Sequence, residues 1–169
     1  TFDLTPPSVT GATSGFTYYT TQKVTVGDAN LDTVTLNNKP VTLEDGALTL
    51  PGNTEAIYAV TATDKAGNST TVTITMKTIA RLADHIDQMT EENVTSADKE
   101  TVTEVKTDAS AADTENATDE EKAALQDILD KCEDLLEKMD EVKQEILDVT
   151  DGVGSFDPDT VKSTDKETI

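Results

Sequence analysis

The chain has 169 residues and a formal net charge of −21, from 34 acidic and 13 basic side chains. Because a nucleic-acid backbone is bound by clustered Lys and Arg, this charge excludes a nucleic-acid-binding protein, and it disfavours docking on an anionic membrane. No apolar run approaches the roughly 18 residues of a spanning helix, so we expect no membrane insertion. The single Cys excludes an internal disulfide.

The acidic charge is concentrated in the second half of the chain. Residues 1–78 contain 7 acidic side chains and 4 Lys, whereas residues 79–169 contain 27 acidic and 9 basic side chains. Thr is abundant before this point, and Glu, Asp, Lys, Ala and Leu are abundant after it. We therefore predict a β-domain over 1–78, a helical bundle over 79–151, and a loop with the start of a further helical repeat over 152–169.

The β-domain is predicted from apolar residues that alternate with Thr. Alternate residues of a strand face opposite sides, so the apolar set packs inward and the Thr set faces solvent. The predicted strands contain Val24/Val26, Val34/Leu36, Val41/Leu43, Leu48/Leu50, Tyr58/Val60/Ala62 and Val72/Ile74/Met76. Asn37-Asn38 and Asp45-Gly46 predict tight hairpin turns, and 64–68 predicts a longer turn. About seven short strands predict a small antiparallel sandwich.

Three segments of this domain, 5–9, 24–35 and 58–68, resemble a bacterial Ig-like domain of Gram-positive surface and secreted proteins. The run Ala-Thr-Asp-Lys-Ala-Gly-Asn at 62–68, before a Thr-Val-Thr strand, is its most distinctive part. The resemblance covers residues 4–78. It implies a sandwich without the Cys–Trp–Cys core of antibody domains, and an extracellular location, cell-wall attached or secreted. It implies no activity, because the fold has many roles.

The pattern changes to helical spacing after residue 78. The first predicted helix contains Ile79, Leu82, Ala83, Ile86 and Met89, and the second contains Val102, Val105, Ala109 and Ala112. A break at 93–96 separates them, where Thr95 or Ser96 can cap the second helix. Thr118 and Glu121 have the spacing of a capping box and predict the start of a third helix.

The third helix, predicted over 119 to about 149, has the most regular pattern in the chain. Its apolar residues alternate spacings of three and four: Leu125, Ile128, Cys132, Leu135, Met139, Val142, Ile146 and Val149. This is a heptad seam, which the two shorter helices are expected to cover for most of its length. The fold class is therefore all-β plus all-α, an Ig-like antiparallel β-sandwich followed by a three-helix bundle. The helical region resembles spacer modules of bacterial surface enzymes.

A short repeat links the helical region to the end of the chain. Residues 161–169 match residues 94–102 at six of nine positions, 67 residues later. Repeats of this kind form stacked or tandem modules, so 161–169 is predicted to begin another capped helix. The chain also starts at Thr1 rather than at Met. We therefore expect this sequence to be a piece of a longer protein.

A calcium loop is one candidate site. Asp28, Asn30 and Asp32 have the spacing of its first ligands, but Thr33 replaces the sixth-position Gly and Lys39 replaces the twelfth-position Glu. A polar turn is the favoured interpretation, with adventitious calcium as the alternative. We expect no cofactor.

Carbohydrate binding is the other candidate. Tyr18 and Tyr19, close to Phe16, could stack on sugar rings if they are exposed, although packing in the core or at an edge is the favoured interpretation. His85 has no partner for a zinc site, and Cys132 lies on the heptad seam, so we assign no catalytic residue and predict that the chain is not an enzyme.

These observations predict a non-catalytic spacer segment of a large extracellular bacterial cell-surface protein, which positions neighbouring catalytic, binding or anchoring domains. An adhesion or carbohydrate-binding module is the alternative. The expected partners are adjacent domains of the same polypeptide, with a glycan or a host surface protein as partners in the alternative. The segment itself is expected to be a monomer.

Overall fold

The computed structural model describes the backbone of residues 3–154 and the side chains of residues 3–150. Within these residues, eight strands precede three helices. The strands are β1 (Ser8–Thr10), β2 (Thr17–Tyr18), β3 (Gln22–Gly27), β4 (Leu31–Leu36), β5 (Lys39–Pro40), β6 (Ala47–Leu50), β7 (Ala56–Asp64) and β8 (Ser69–Met76). The helices are α1 (Ala80–Ala83), α2 (Lys99–Ala111) and α3 (Asp119–Gly154), with a 3-10 turn at Ser96–Asp98. The predicted helix start at 161–169 lies outside the described residues.

The strands form two sheets, which confirms the predicted sandwich. One sheet has the order β1-β3-β6 and the other β2-β8-β7-β4-β5. Neighbouring strands are antiparallel except β2 and β8, which are parallel. The short β2 pairs with the last two residues of β8, Thr75 and Met76, and so covers one end of its outer edge. The sequence pattern did not predict this parallel pair or the short β1.

The longest pairing is the hairpin of β7 and β8, in register from Ala56 opposite Met76 to Thr63 opposite Ser69. Val60, Ile74 and Met76 point into the core and are almost fully buried. Most Thr residues of the hairpin face the other side, where the hydroxyls of Thr61 and Thr71 lie 2.8 Å apart. Thr70 is the exception on the inner face, where its hydroxyl donates to the Pro7 carbonyl over 2.6 Å. The predicted division into an apolar inner face and a Thr-rich outer face is therefore confirmed in this hairpin.

Both predicted tight turns form. Asn37 and Asn38 have φ of 50° and 63°, and Asp45 and Gly46 have φ of 49° and 75°. Two consecutive left-handed residues are the signature of a type I′ turn, whose twist matches that of the flanking strands.

The predicted strand at Val41–Leu43 is wrong. The Val41 N–H still donates to the Val34 carbonyl over 3.0 Å, but the strand β5 ends at Pro40. Pro40 has no N–H for a ladder, so the pairing is short at this edge of the sheet. Val41 and Leu43 nevertheless pack partly buried against the sandwich core.

The first helix is shorter than predicted. Regular helix ends at Ala83, and the chain continues to Met89 in turns, with Ile86 N–H bonded to the Ala83 carbonyl and Met89 N–H to the Ile86 carbonyl. Asp84 and Asp87 follow the helix, where negative charge is unfavourable to the carbonyl end of the helix dipole. Ile86 is still fully buried in the helical core.

The heptad seam of α3 is buried only up to Met139. Lys99, the first residue of α2, forms an ion pair with Asp140 over 2.6 Å. The start of α2 therefore lies beside Asp140, and α2 does not reach the later turns of α3. Val142, Ile146 and Val149 are consequently exposed. The expectation that the shorter helices cover most of the seam is therefore confirmed: its first five apolar residues are buried, and the last three are exposed. No described helix is both long enough and apolar enough to cross a membrane.

Candidate functional site: the junction between sandwich and helices

The sandwich and the helices are joined by a short, hydrogen-bonded segment. Only three residues separate the end of β8 at Met76 from α1 at Ala80. The Lys77 N–H donates to the Tyr18 carbonyl over 2.9 Å, and the Ile79 N–H donates to Asn53 Oδ1 over 2.9 Å. The backbone that enters α1 is therefore bonded to strand β2 and to the loop between β6 and β7.

Glu121 binds both parts of the protein at once. Its carboxylate accepts the Thr118 N–H at Oε2 over 2.9 Å, while Thr118 Oγ1 accepts the Glu121 N–H over 3.2 Å. This reciprocal pair is the predicted capping box of α3, which is confirmed. The same carboxylate accepts the Thr21 N–H at Oε2 over 3.0 Å and the Thr21 hydroxyl at Oε1 over 2.9 Å. Glu121 is 5% exposed.

A chain of polar groups continues from Glu121 into the sandwich. Thr21 Oγ1 accepts the Gly52 N–H over 3.1 Å, and the fully buried Thr20 hydroxyl donates to the Asp113 carbonyl. Gln22 Nε2 donates to the Thr20 carbonyl over 3.2 Å. These hydrogen bonds satisfy polar groups that the packing of the two parts removes from water, whereas Gln22 Oε1 is buried without a hydrogen-bond partner among the described residues.

Gly52 makes the close approach possible. A Cβ at this position would overlap the backbone of Thr20 and Thr21 and would also lie on Glu121 Oε1. The junction therefore needs the absence of a side chain at residue 52, and not an unusual backbone conformation.

The two candidate sugar-binding residues, Tyr18 and Tyr19, pack against two different hydrophobic cores. Tyr18 is half-buried against the sandwich core, and its Oη accepts the Thr13 N–H over 2.9 Å. Tyr19 packs against the helical core, where burial, and then the nearby Asp108, raise the pKa of its hydroxyl. Phe16 is 59% exposed. The structure does not bring Tyr18 and Tyr19 together on one flat surface, and carbohydrate binding by them stays a prediction.

The candidate calcium ligands lie around the loop between β3 and β4. Asp28 Oδ1 accepts the Asn30 N–H over 2.6 Å, and Asn30 Nδ2 donates to Asp3 Oδ2 over 3.2 Å. Asp32 is exposed on β4. Among the described residues, no group of three or more His, Cys, Asp or Glu side chains is placed to hold a metal ion. Calcium binding at this loop stays a prediction.

A cleft of about 520 Å³ opens beside the junction, between the sandwich and the helices. It is lined by Tyr19, Glu55, Lys77, Arg81, Leu82, Asp84, His85, Thr101, Glu104, Val105 and Asp108. Arg81 binds Glu55 Oε1 at 3.1 Å and Asp84 Oδ2 at 3.3 Å. The hydrogen bond to Arg81 is the main cause of the lowered pKa of Glu55, and the same contacts raise the pKa of Arg81. The ion pair of Arg81 with Glu55 links α1 to the sandwich on the solvent-exposed side of the junction.

The two residues considered for catalysis, His85 and Cys132, have different surroundings. His85 is exposed at the rim of the cleft. Cys132 is fully buried on the seam of α3, and burial raises the pKa of its thiol. A protonated, inaccessible thiol is not a nucleophile, so Cys132 is a packing residue, as the heptad pattern predicted.

The junction was only partly visible in the sequence. The local spacing of Thr118 and Glu121 revealed the helix cap. The bonds from Thr21 join residues 100 positions apart in the chain. A single sequence contains no local signal for such a contact, because nothing in the residues that lead into β3 distinguishes Thr21 from the other Thr residues.

Comparison with known families identifies the sandwich. Residues 4–79 match the family model described as glucodextranase, domain B, which is an Ig-like β-sandwich-type domain of extracellular bacterial enzymes and a non-catalytic accessory part of them. The match ends at Ile79, at the junction with α1, and covers less than half of the chain. No curated protein and no solved structure matches the chain. Residues 4–79 are thus an Ig-like sandwich domain similar to domain B of glucodextranase.

Proposed function

We propose that the chain is a non-catalytic spacer segment of an extracellular bacterial cell-surface protein. Its role is to hold neighbouring domains of the same polypeptide at a set distance and orientation. The observation that carries this proposal is the Glu121 junction, in which one buried carboxylate binds the sandwich and caps the longest helix.

A spacer fixes the relative orientation of its neighbouring domains only if its own two parts do not rotate relative to each other. Flexible linkers are long and rich in Gly and Ser. Here the connection, residues 77–79, is three residues long. The backbone N–H groups of Lys77 and Ile79 within it both donate to the sandwich. Arg81 adds an ion pair to Glu55 on the outside of the same junction. The described contacts therefore support a fixed angle between sandwich and helices.

The dimensions also suit a spacer. At about 1.5 Å per residue, the 36 residues of α3 extend over roughly 54 Å. The acidic charge of the helical region lies mainly on solvated faces, since the apolar seam faces α1 and α2 up to Met139. Strong net charge keeps a protein soluble and disfavours self-association, which supports a monomeric segment.

The similarity to domain B of glucodextranase supports the extracellular part of the proposal. That domain is an accessory part of an extracellular bacterial enzyme and does no chemistry itself. By analogy, the neighbours that this segment positions include a catalytic or binding domain. The Gram-positive origin and the attachment to the cell wall rest on the Ig-like resemblance and belong to the proposal.

A distance measurement between the two parts tests the proposal. Nitroxide labels at Lys65→Cys on the sandwich and Asp127→Cys on α3 occupy exposed positions, while the native Cys132 is buried and stays unlabelled. We expect double electron–electron resonance to give one narrow distance distribution. Glu121→Ala should broaden it, whereas Thr25→Val, at an exposed Thr of β3, should not.

Two results would contradict the spacer function. A broad distribution in the labelled chain without further changes would show that the junction does not fix the angle. Specific binding of the purified chain on a glycan array, abolished by Tyr19→Ala, would favour the carbohydrate-binding alternative.

A further inference from the structure

The last turns of α3 present an apolar face that no described element covers. Ile146 and Val149 are 63% and 68% exposed, and Val142 and Leu147 are exposed beside them. With Met139 and the Val94–Ser96 segment, three of these residues line an apolar groove of about 340 Å³. A row of large apolar side chains along one helix face is a surface for a partner.

The sequence shows which element normally covers such a face. The repeat, whose two copies are offset by 67 residues, extends further toward the N-terminus than the segment 94–102. Residues 79–102 and 146–169 are identical at eight of 24 positions. The apolar positions of 79–89 are preserved as Ile79/Ile146, Leu82/Val149, Ile86/Val153 and Met89/Phe156. The end of α3 therefore has the sequence pattern of α1 and of the turns that follow it.

In the first copy of the repeat this pattern is buried. Ile79 and Leu82 are 2% and 6% exposed, against 63% and 68% for Ile146 and Val149. The first copy packs in one core with α2, in which Val102 is fully buried. The residue equivalent to Val102 is Ile169. In the first copy the following helix, α2, packs on the apolar face, whereas in the second copy no helix among the described residues does.

We propose that the last turns of α3 also serve as the first helix of a second helical unit, and that residues 161–169 of this chain dock on their exposed apolar face. In this arrangement α3 is shared by two units. Its first half completes the unit of α1 and α2, and its last turns begin the next one. The arrangement would hold whether or not the segment acts as a spacer.

The chain is long enough and has the required cap. Val94 follows Ile79 by 15 positions, and Val161 follows Ile146 by the same number. Seven residues beyond Gly154 reach at most about 23–25 Å, while Ile146 lies only about 12 Å back along the helix. In the first copy, the N–H and hydroxyl of Thr95 both donate to Asp98 Oδ2 over 2.8 Å. Asp165 stands at the position of Asp98, so the backbone half of this cap is available in the second copy.

Hydrogen–deuterium exchange of the 169-residue chain and of a chain ending at residue 158 tests the proposal. We expect amides of 142–150 to exchange about tenfold faster in the shortened chain, the factor that corresponds to losing the burial of roughly one apolar side chain. Amides of α2 and of 121–135 should be unchanged. Ile169→Asp should reproduce the effect of the truncation, and Lys162→Ala, at a position where the repeat is not preserved, should not.

A disulfide trap gives an independent readout. Leu82 and Thr101 line the same cleft in the first unit, and their equivalents are Val149 and Thr168. Under oxidation, Val149→Cys with Thr168→Cys should form an intramolecular bond, and Gln144→Cys with Thr168→Cys, about 140° away around the helix, should not. Equal exchange in both chains, or equal trapping of both pairs, would overturn the proposal. So would a concentration-dependent dimer that protects 142–150 in both chains, because a second copy would then be the occupant.

Discussion

Replacing Glu121 by Ala should weaken the junction and the start of α3 together. The change removes an acceptor for two backbone N–H groups, of Thr118 and Thr21, and for the Thr21 hydroxyl. Loss of a helix cap costs about 1 kcal/mol, and a hydrogen bond to a charged group contributes about 1.5–3 kcal/mol. Because water can enter and satisfy part of the site, we expect a total loss of about 3 kcal/mol in the free energy of unfolding.

This loss converts into a measurable change in thermal stability. For a chain of this size, about 3 kcal/mol corresponds to a melting temperature lower by roughly 6–12 °C, followed by circular dichroism at 222 nm. Glu120→Ala is the matched control, because Glu120 precedes Glu121 in the same first turn but is exposed. Its loss affects only the helix dipole and should cost under about 1 kcal/mol.

The comparison with Glu120→Ala also defines the result that would refute this reasoning. If Glu121→Ala and Glu120→Ala lower the melting temperature equally, the bonds to Thr21 contribute nothing and the junction is not held by this carboxylate. Thr21→Val separates the two roles of Glu121. It removes the hydroxyl bond across the junction, together with the acceptor for the Gly52 N–H, and leaves the capping box of α3 intact. We expect it to fall between the two Glu variants.

Four further predictions follow from individual environments. Gly52→Ala should destabilise the protein by about 1–3 kcal/mol in urea denaturation, because its Cβ overlaps backbone atoms. Asp64 accepts bonds from Asn68 and from nearby backbone N–H groups, which lower its pKa. The contribution of ionised Asp64 to the free energy of unfolding is therefore complete above the ordinary Asp pKa of about 4. It is lost as the pH falls through the lower pKa of the folded state. Asp64→Asn should therefore flatten the dependence of stability on pH below about 4. Leu135→Ala in the helical core should cost about 2–5 kcal/mol, and the partly exposed Leu136→Ala clearly less. Cys132 should react with a thiol reagent only on unfolding, so that a fast reaction in native buffer would contradict its burial.

The local features of the fold were predictable because neighbouring residues determine them. Asn37-Asn38 favours a left-handed turn whatever surrounds it, and the Thr alternation of β8 fixes which face is buried. The error at Val41–Leu43 has a local cause as well. Pro40 shortens the pairing, and apolar alternation alone does not distinguish a strand from an extended segment that packs on the core.

The features that the sequence did not reveal depend on contacts between distant parts of the chain. Tyr18 and Tyr19 are adjacent and chemically alike, yet one packs on the sandwich core and the other on the helical core. The heptad pattern continues unchanged to Val149, but burial needs a partner helix, and α2 begins opposite Asp140. A periodic pattern shows which residues are able to be buried, and the length of the neighbouring helices decides which of them are.

Residual dipolar couplings of the 169-residue chain test the fixed junction most directly. Amides of the sandwich, 8–76, and of the first helical unit, 99–139, are fitted separately to an alignment tensor. A rigid junction predicts tensors of the same magnitude and orientation for both sets. Tensors that differ in magnitude would show that the two parts reorient independently, and would contradict the proposal that this segment holds its neighbours at a set angle.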